Sequence, residues 1–218
     1  MTRQSLRELP IAPEGIQLTI IFGVLCAIFM IAGAWKIGII LLVCTVFNLY
    51  FFRNPERHAP EGNVVVAPAD GRVIVIKPVL ESRFFKEEVN KISIFMNVFN
   101  VHVNRMPYDG EVLDVVHEDG KFLCADLDAA AEENEKNSVF IKTPEGFNIL
   151  FVQVAGLIAR RIICYVNKGD ILKKSERFGL ICYSSRVDIF LPKSVEIKVK
   201  IGDITTAGET VIGETKND

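Results

Sequence analysis

One long apolar stretch constrains this chain more than any other feature. Between residues 16 and 52 the only charged residue is Lys36. At a rise of 1.5 Å per residue, about 20 residues span the roughly 30 Å hydrocarbon core of a bilayer. The stretch divides at Lys36 and therefore predicts two membrane-embedded helices, at residues 16–35 and 37–52. A single bent helix and a hairpin lying in the membrane interface are the alternatives.

The flanks of this stretch indicate its orientation. Arg3 and Arg7 precede it, and Arg53 and Arg57 follow it. The positive-inside rule places both flanks in the cytoplasm. A cleaved signal peptide is the competing interpretation, but the stretch is too long for one and has no small-residue cleavage pattern. We therefore expect a cell-membrane protein whose remaining chain lies on the cytoplasmic face.

The overall composition excludes several classes of protein. The chain has 218 residues, with 25 Lys+Arg against 27 Asp+Glu, so a basic nucleic-acid-binding surface is not expected. Its five cysteines are odd in number and form no C-x-x-C pair. This argues against a disulfide framework and against a cysteine-based metal site, and no metal is predicted.

The rest of the chain reads as one β-rich domain. Residues 53–63 carry Pro55, Pro60 and Gly62 and predict a linker between the tail and membrane segment (1–52) and a domain at 64–218. Helix candidates are confined to residues 82–89 and 126–135. Short runs rich in Val, Ile and Phe predict strands at 64–67, 73–76, 92–99, 110–116, 139–141, 149–154, 161–166, 187–191 and 195–201.

Two turn-like sequences refine this fold class. Residues 167–170 (N-K-G-D) and 201–203 (I-G-D) look like turns of β-sandwich or barrel hybrids of the biotinyl/lipoyl kind. The predicted fold is therefore mainly β, a sandwich or barrel hybrid of this type, with an N-terminal membrane-embedded helical segment.

Three distant segments carry residues suited to chemistry. Asp70 stands in A-P-A-D-G-R, where it could orient a histidine or simply form an Asp-Gly turn. His102 lies in F-M-N-V-F-N-V-H-V-N-R-M-P, where strand alternation puts it on one face with Asn100 and Asn104. A polar row of that kind is costly unless it is satisfied or used. The third segment holds Ser184 and Ser185, which would ordinarily form a turn.

Together these segments resemble the phosphatidylserine decarboxylases, most closely their short bacterial and archaeal branch. The matching elements stand in family order and cover nearly the whole chain from Phe51 onward. They are the apolar N-terminal segment, F-F-R-N-P-E-R, P-A-D-G, F-M-N-V-F-N-V-H-V-N-R-M-P, V-N-K-G-D and E-R-F-G-L-I followed by S-S-R-V-D-I-F-L-P.

The resemblance implies a self-cleaving proenzyme. Ser185 Oγ would attack the carbonyl carbon of Ser184, and β-elimination would split the chain into residues 1–184 and 185–218, leaving a covalent pyruvoyl group derived from Ser185. His102 would be the base, held by Asp70. The pyruvoyl ketone would form a Schiff base with the amine of membrane phosphatidylserine, and decarboxylation would yield phosphatidylethanolamine and carbon dioxide. The implied enzyme is a heterodimer of its own two cleavage products, with higher oligomers left open.

Two departures from the family pattern bear on this mechanism. Ser184 occupies the usual glycine position of the scissile pair, where glycine least hinders attack, so we expect slower self-cleavage. Longer relatives carry a His-x-x-His pair, whereas here His102 is followed by Arg105. The roles of base and proton donor either both fall on His102 or are divided with another group.

Three alternatives remain at this point. The substrate could be an ether-linked archaeal phosphatidylserine analogue, and the protein could be a decarboxylase-like chain that has lost self-processing. It could also be a non-enzymatic, membrane-tethered module of the biotinyl/lipoyl kind. Such a carrier needs an exposed lysine between methionines at a hairpin tip, and neither Lys77 nor Lys168 has such neighbours.

Overall fold

The structure is a computed structural model that describes residues 9–121, 133–156, 161–182 and 185–215. The chain divides into two compact units, Met1–Glu56 and Arg57–Asp218. The first is helical in its described part, and the second consists mainly of β-strands.

The first unit contains two antiparallel helices, α1 (Pro13–Ile31) and α2 (Trp35–Phe51). Their bounds lie within a few residues of the predicted 16–35 and 37–52. Proline at the first position suits the start of α1, and Gly33 adopts a positive φ of 79° in the turn between the helices. In the described part of the chain, α1 is long and apolar enough to cross a membrane, whereas α2 is shorter, at 17 residues.

Polar contacts join the two helices at both ends. Asn48 Nδ2 donates to the Gly15 carbonyl oxygen at 2.9 Å and to Thr19 Oγ1 at 2.6 Å. Near the turn, the Cys26 thiol donates to the Gly38 carbonyl oxygen at 3.2 Å. The large apolar side chains of both helices point outward, and many are half exposed or more.

The second unit has fourteen strands among the described residues, all paired antiparallel. The prediction of a mainly β fold is confirmed. The strands are β1 (Val64–Val66), β2 (Gly71–Glu81), β3 (Glu87–Met96), β4 (Val103–Arg105), β5 (Gly110–Glu118), β6 (Lys136–Lys142), β7 (Asn148–Ala155), β8 (Ile162–Cys164), β9 (Ile171–Leu172), β10 (Arg177–Ile181), β11 (Ser185–Leu191), β12 (Val195–Ile197), β13 (Ile204–Thr205) and β14 (Val211–Thr215).

These strands form one large sheet and two small ones. The large sheet has the order β13-β2-β3-β11-β7-β6-β5-β9, and the small sheets have the orders β4-β10-β8 and β1-β14-β12. β11 therefore lies near the middle of the large sheet, between β3 and β7. One face of the large sheet supplies most of the core, through alternate residues such as Ile92 and Ile94 on β3 and Val187 and Ile189 on β11.

The helix predicted at residues 82–89 is wrong. β2 and β3 form a hairpin, and the Glu81 carboxylate accepts hydrogen bonds from the backbone N–H groups of residues 83, 84 and 85 at 2.7–3.1 Å. This capped turn leaves β3 to begin at Glu87. The other helix candidate, at 126–135, falls largely on residues outside the described ranges.

Candidate active site

Ser185 is the first residue of β11, and it is fully buried. It pairs with Met96 of β3 on one side and with Ala155 of β7 on the other. Its hydroxyl donates to the Met96 sulfur at 3.4 Å. The serine therefore faces the apolar core, where a charged intermediate or a bulky group would find little water. Ser184, the other half of the predicted scissile pair, lies outside the described residues.

A chain of buried amides leads to the same sulfur. Asn104 of β4 directs Nδ2 at Met96 Sδ, 3.7 Å away, and its Oδ1 accepts a 2.8 Å bond from Gln153 Nε2 on β7. Gln153 Oε1 in turn accepts a 3.1 Å bond from Asn137 Nδ2 on β6. Each of the three amide residues is at most 2 % exposed, so the chain is a polar bridge through the core between the large sheet and β4.

His102 is also fully buried, just before β4. Its Nδ1 lies 3.0 Å from the Asn100 carbonyl oxygen, which can only accept a hydrogen bond. In the neutral ring the proton therefore sits on Nδ1, and Nε2 keeps the basic lone pair. The His102 carbonyl oxygen accepts the Ile181 N–H at 3.4 Å, so the histidine lies beside the end of β10, the strand that leads towards Ser185.

An asparagine-stabilised turn positions His102. The predicted strand 92–99 ends at Met96, and residues 97–100 form the turn. Asn100 Oδ1 accepts the Asn97 N–H and Asn97 Oδ1 accepts the Phe99 N–H, each at 2.9 Å. Such bonds stabilise turns locally, so two of the three asparagines in the motif serve the backbone.

Asp70 is held on two sides. Its Oδ2 accepts a 3.0 Å bond from Arg57 Nη2, and its Oδ1 accepts a 2.7 Å bond from the Ala207 N–H. The neighbouring Gly71 does not adopt a positive φ, and a side chain there would collide with the Phe95 carbonyl oxygen. The Asp-Gly pair therefore starts β2 in close contact with β3. The sequence predicts Arg57 as a linker residue and a membrane-flanking charge, and the contact with Asp70 gives it a further, structural role.

The other face of β11 carries a separate ionic group. Arg186 is 1 % and Asp188 2 % exposed, and Arg186 Nε lies 2.8 Å from Asp188 Oδ1. Lys91 Nζ reaches Asp188 Oδ2 at 2.8 Å from β3. Burial of both charges is tolerated because they are paired. These residues were not predicted, although R-V-D in a strand indicates two polar side chains on the same face.

Comparison with known proteins shows where the chain belongs. A sequence model described as phosphatidylserine decarboxylase matches residues 44–213, which include both strands that flank Ser185 and the His102 segment. The chain belongs to the phosphatidylserine decarboxylase family.

Relatives in this family are similar over almost their whole length. Phosphatidylserine decarboxylase proenzyme of Syntrophus aciditrophicus is 47 % identical over 93 % of this chain and 96 % of its own length. The proenzyme of Geobacter sulfurreducens is 49 % identical over 94 % and 96 %, and that of Syntrophotalea carbinolica is 46 % identical over 95 % and 97 %. The resemblance identified from the motifs is thereby confirmed.

For this phosphatidylserine decarboxylase family member, the structure adds residues that motif reading missed. Met96, Gln153 and Asn137 come from three strands: strand order brings Met96 to Ser185 and joins Gln153 and Asn137 in the row of amides that leads to Met96. Gln153 did carry a signal, since it stands at a core position of the otherwise apolar run I-L-F-V-Q-V-A. The catalytic roles given to Ser185, His102 and Asp70 stay predictions.

Proposed function

We propose that this protein decarboxylates phosphatidylserine to phosphatidylethanolamine and carbon dioxide, as a step in phospholipid synthesis. The observation that carries the proposal is the family match over residues 44–213 together with proenzyme relatives that are 46–49 % identical. The full burial of Ser185 beside Met96 supports a special role for this serine, because an ordinary turn serine would be exposed.

Self-processing would begin with the Ser185 hydroxyl. Its oxygen attacks the carbonyl carbon of residue 184 and its proton goes to a base. The base returns the proton to the nitrogen of residue 185 as the C–N bond breaks, so that an ester and a free amine replace the peptide bond. Removal of the Cα proton of residue 185 expels the carboxylate of residue 184 as the new C-terminus. The dehydroalanine left at residue 185 takes up water and releases ammonia.

His102 is the proposed base, and its tautomer supports that role. The bond from Nδ1 to the Asn100 carbonyl oxygen leaves the Nε2 lone pair to accept a proton. The Asn100 carbonyl oxygen takes the Nδ1 position at which the sequence predicted Asp70, so we propose that Asp70 acts on the histidine through its negative charge, while Arg57 and the Ala207 N–H hold its carboxylate in place. After decarboxylation, His102 is also the proposed donor of the proton that replaces carbon dioxide.

The surroundings of residue 185 fit a pyruvoyl group. The group has the same three carbons as the serine residue it would replace, and that residue is fully buried between Met96 and Ala155. When formed, a pyruvoyl group supplies a ketone that condenses with the substrate amine and an adjacent carbonyl that accepts electrons as carbon dioxide leaves. The buried strand start would exclude water and orient the substrate amine toward residue 185.

We further propose that the two cleavage products stay together as a heterodimer. The small chain, residues 185–218, would contribute β11, which pairs with β3 and β7 of the large chain. Two of its other strands, β13 and β14, pair with β2 and β1. Cutting one peptide bond leaves all these pairings intact. Higher oligomers stay a prediction from the sequence, as does the resemblance of the β fold to biotinyl/lipoyl hybrids.

The membrane assignment also belongs to the proposal. The outward-facing apolar side chains of α1 and α2 suit a lipid environment, and arginines flank the pair in the sequence. We propose that these helices are embedded in the cell membrane and keep the β domain on its cytoplasmic face. An enzyme anchored in this way can reach an amine that stays in the bilayer.

Intact mass of the purified full chain in detergent tests processing directly. We expect two chains, residues 1–184 and 185–218, the smaller with an N-terminal ketone that reacts with a hydrazide. Ser185→Ala should leave one chain of about the precursor's 24.4 kDa and release no carbon dioxide from phosphatidylserine.

Ser93→Ala is a matched control, because Ser93 is a fully buried serine in neighbouring β3, opposite Asp188. It should process like the unmodified protein. An unmodified chain that stays whole, or a processed Ser185→Ala variant, would contradict the proposal. Replacing the diester substrate with its ether-linked analogue in the same assay distinguishes the two lipid classes.

A further inference from the structure

The buried amides of Asn137, Gln153 and Asn104 form one chain with a fixed direction. It ends at the Met96 sulfur, 3.7 Å from Asn104 Nδ2 and 3.4 Å from Ser185 Oγ. A thioether sulfur carries no hydrogen and can only accept. Asn104 must therefore present its amide nitrogen to the sulfur, and its oxygen must point the other way.

The order of donors and acceptors along the three amides has no alternative. Because Asn104 Oδ1 faces Gln153, the glutamine must present Nε2 to it, at 2.8 Å. Gln153 Oε1 then faces Asn137 and must receive an N–H, which Asn137 Nδ2 supplies at 3.1 Å. Turning any one amide around would set oxygen against oxygen or nitrogen against nitrogen. Each amide thus fixes the orientation of the next.

Gly179 in β10 makes room for the row of buried amides. A side chain at position 179 would come within 2.8 Å of Gln153 Nε2 and within 2.5 Å of the Ile163 carbonyl oxygen. The glycine in β10 therefore lets Gln153 extend from the large sheet to Asn104 on β4. Apolar residues surround it at the same level of the core, including Val187, which pairs with Gln153. Apolar side chains would fill this part of the core without needing hydrogen-bond partners. Core packing therefore does not explain why three amides lie here.

We propose that Asn137, Gln153 and Asn104 are positioning residues for self-processing: they hold the Met96 sulfur and through it the Ser185 hydroxyl in the rotamer from which Ser185 attacks residue 184. A sulfur acceptor holds the hydroxyl weakly, so the proton can pass to a base when attack begins. The hydrogen bond to Met96 also keeps Ser185 Oγ in a defined position at the start of β11. This proposal rests on the proposed processing at Ser185.

Gln153→Leu tests the proposal with little change of volume. Leucine can neither donate to Asn104 nor accept from Asn137, so Asn104 loses the partner that fixes its direction. We expect cleavage to slow by about 10²-fold, the loss typical of a misplaced reacting group. Cleavage is followed by intact mass during cell-free synthesis of the full chain into phosphatidylglycerol vesicles. Gln153→Glu should slow cleavage less, because burial favours the protonated carboxyl, which can still donate to Asn104 and accept from Asn137.

A control variant separates positioning from loss of stability. Thr143→Val removes another buried side-chain hydrogen bond, from Thr143 Oγ1 to the Phe147 carbonyl oxygen at 3.0 Å, at the end of β6 away from Asn137. Its melting temperature serves as the reference for a buried polar loss. We expect Thr143→Val to cleave at the unmodified rate even if its melting temperature falls as far as that of Gln153→Leu.

Hydroxylamine identifies the step that fails. It cleaves an ester but leaves a peptide bond intact at neutral pH. We expect the uncleaved Gln153→Leu precursor to resist hydroxylamine, because the serine has not attacked. Cleavage at the unmodified rate, a hydroxylamine-sensitive precursor, or equal slowing in Thr143→Val would each overturn the positioning role. If the unmodified chain itself stayed whole, the proposed function would fail instead.

Discussion

Both units of this protein bury an asparagine, but the two amides have different surroundings. Asn48, between α1 and α2, donates to a backbone carbonyl oxygen and to a threonine hydroxyl, and its contacts stay within the helix pair. Asn104, in the β domain, contacts another side-chain amide and a sulfur that also holds Ser185. The first amide joins two helices, whereas the second belongs to a row of amides that leads through Met96 to the proposed nucleophile, Ser185.

This difference reflects what each region has to achieve. The large apolar side chains of the two helices are exposed, so few of them stabilise the contact between the helices. A polar contact such as that of Asn48 therefore helps to specify how the helices pair. The β domain has a large apolar core and does not need amides for cohesion. A buried polar group there is better explained by chemistry, and His102 and Ser185 are both fully buried in this domain.

Among the variants that test this comparison, His102→Asn should have the largest effect, on the rate of self-cleavage in the β domain. Asparagine can keep a donor for the Asn100 carbonyl oxygen but supplies no basic nitrogen. We expect cleavage to fall by about 10²–10⁴-fold, the range for loss of a general base, with the precursor followed by intact mass. Complete cleavage with no release of carbon dioxide would confine His102 to decarboxylation. Full activity in both steps would remove it from the mechanism.

Asn48→Leu should affect only the pairing of α1 with α2. Loss of the bonds to Gly15 and Thr19 should weaken helix pairing by about 0.6 kcal/mol, the average for such contacts in membranes. Hydrogen exchange in α1 should therefore speed up by about threefold in detergent, while cleavage at Ser185 continues at the unmodified rate. Thr19→Val keeps the Gly15 bond and should have a smaller effect. Slowed cleavage in Asn48→Leu would show that the two buried asparagines are not functionally distinct.

Asp109→Asn should have the smallest effect, because Asp109 is a surface group outside both networks. Burial opposes ionisation, but bonds from the Lys174 backbone N–H and from Lys173 Nζ, at 2.7 and 2.9 Å, outweigh it and hold the pKa of Asp109 below its ordinary value. A lowered pKa stabilises the fold above the ordinary Asp pKa of about 3.9, and the contribution is lost as the pH falls through the lowered value.

The variant should therefore lower the melting temperature of the full chain by about 1 °C at pH 7, equivalent to about 0.4 kcal/mol, because solvent screens this partly exposed group. This difference should shrink as the pH falls below 3.9. Cleavage should be unchanged at pH 7. A melting difference that persists at low pH would mean that the Asp109 charge is not its cause.

Much of the site could be predicted because its motifs are local. Ser185 and His102 stand in sequence patterns that identify the family, and the apolar runs predicted most of the long strands. The helix predicted at 82–89 failed because a single capping carboxylate, Glu81, closes a hairpin there. The amide chain could not be predicted, because Asn104, Gln153 and Asn137 are brought together only by strand order and register.

The sequence by itself determined the apolar helices, the β-rich character of the domain and the identity of the candidate nucleophile. These properties depend on composition, on the alternation of neighbouring residues and on motifs read in order along the chain. Only the tertiary structure decided which buried amides are connected to Ser185 through the Met96 sulfur. Hydrogen bonds between distant side chains need fixed distances, and those distances are set by the pairing of β3, β11, β7 and β6 and by the packing of β4 against them.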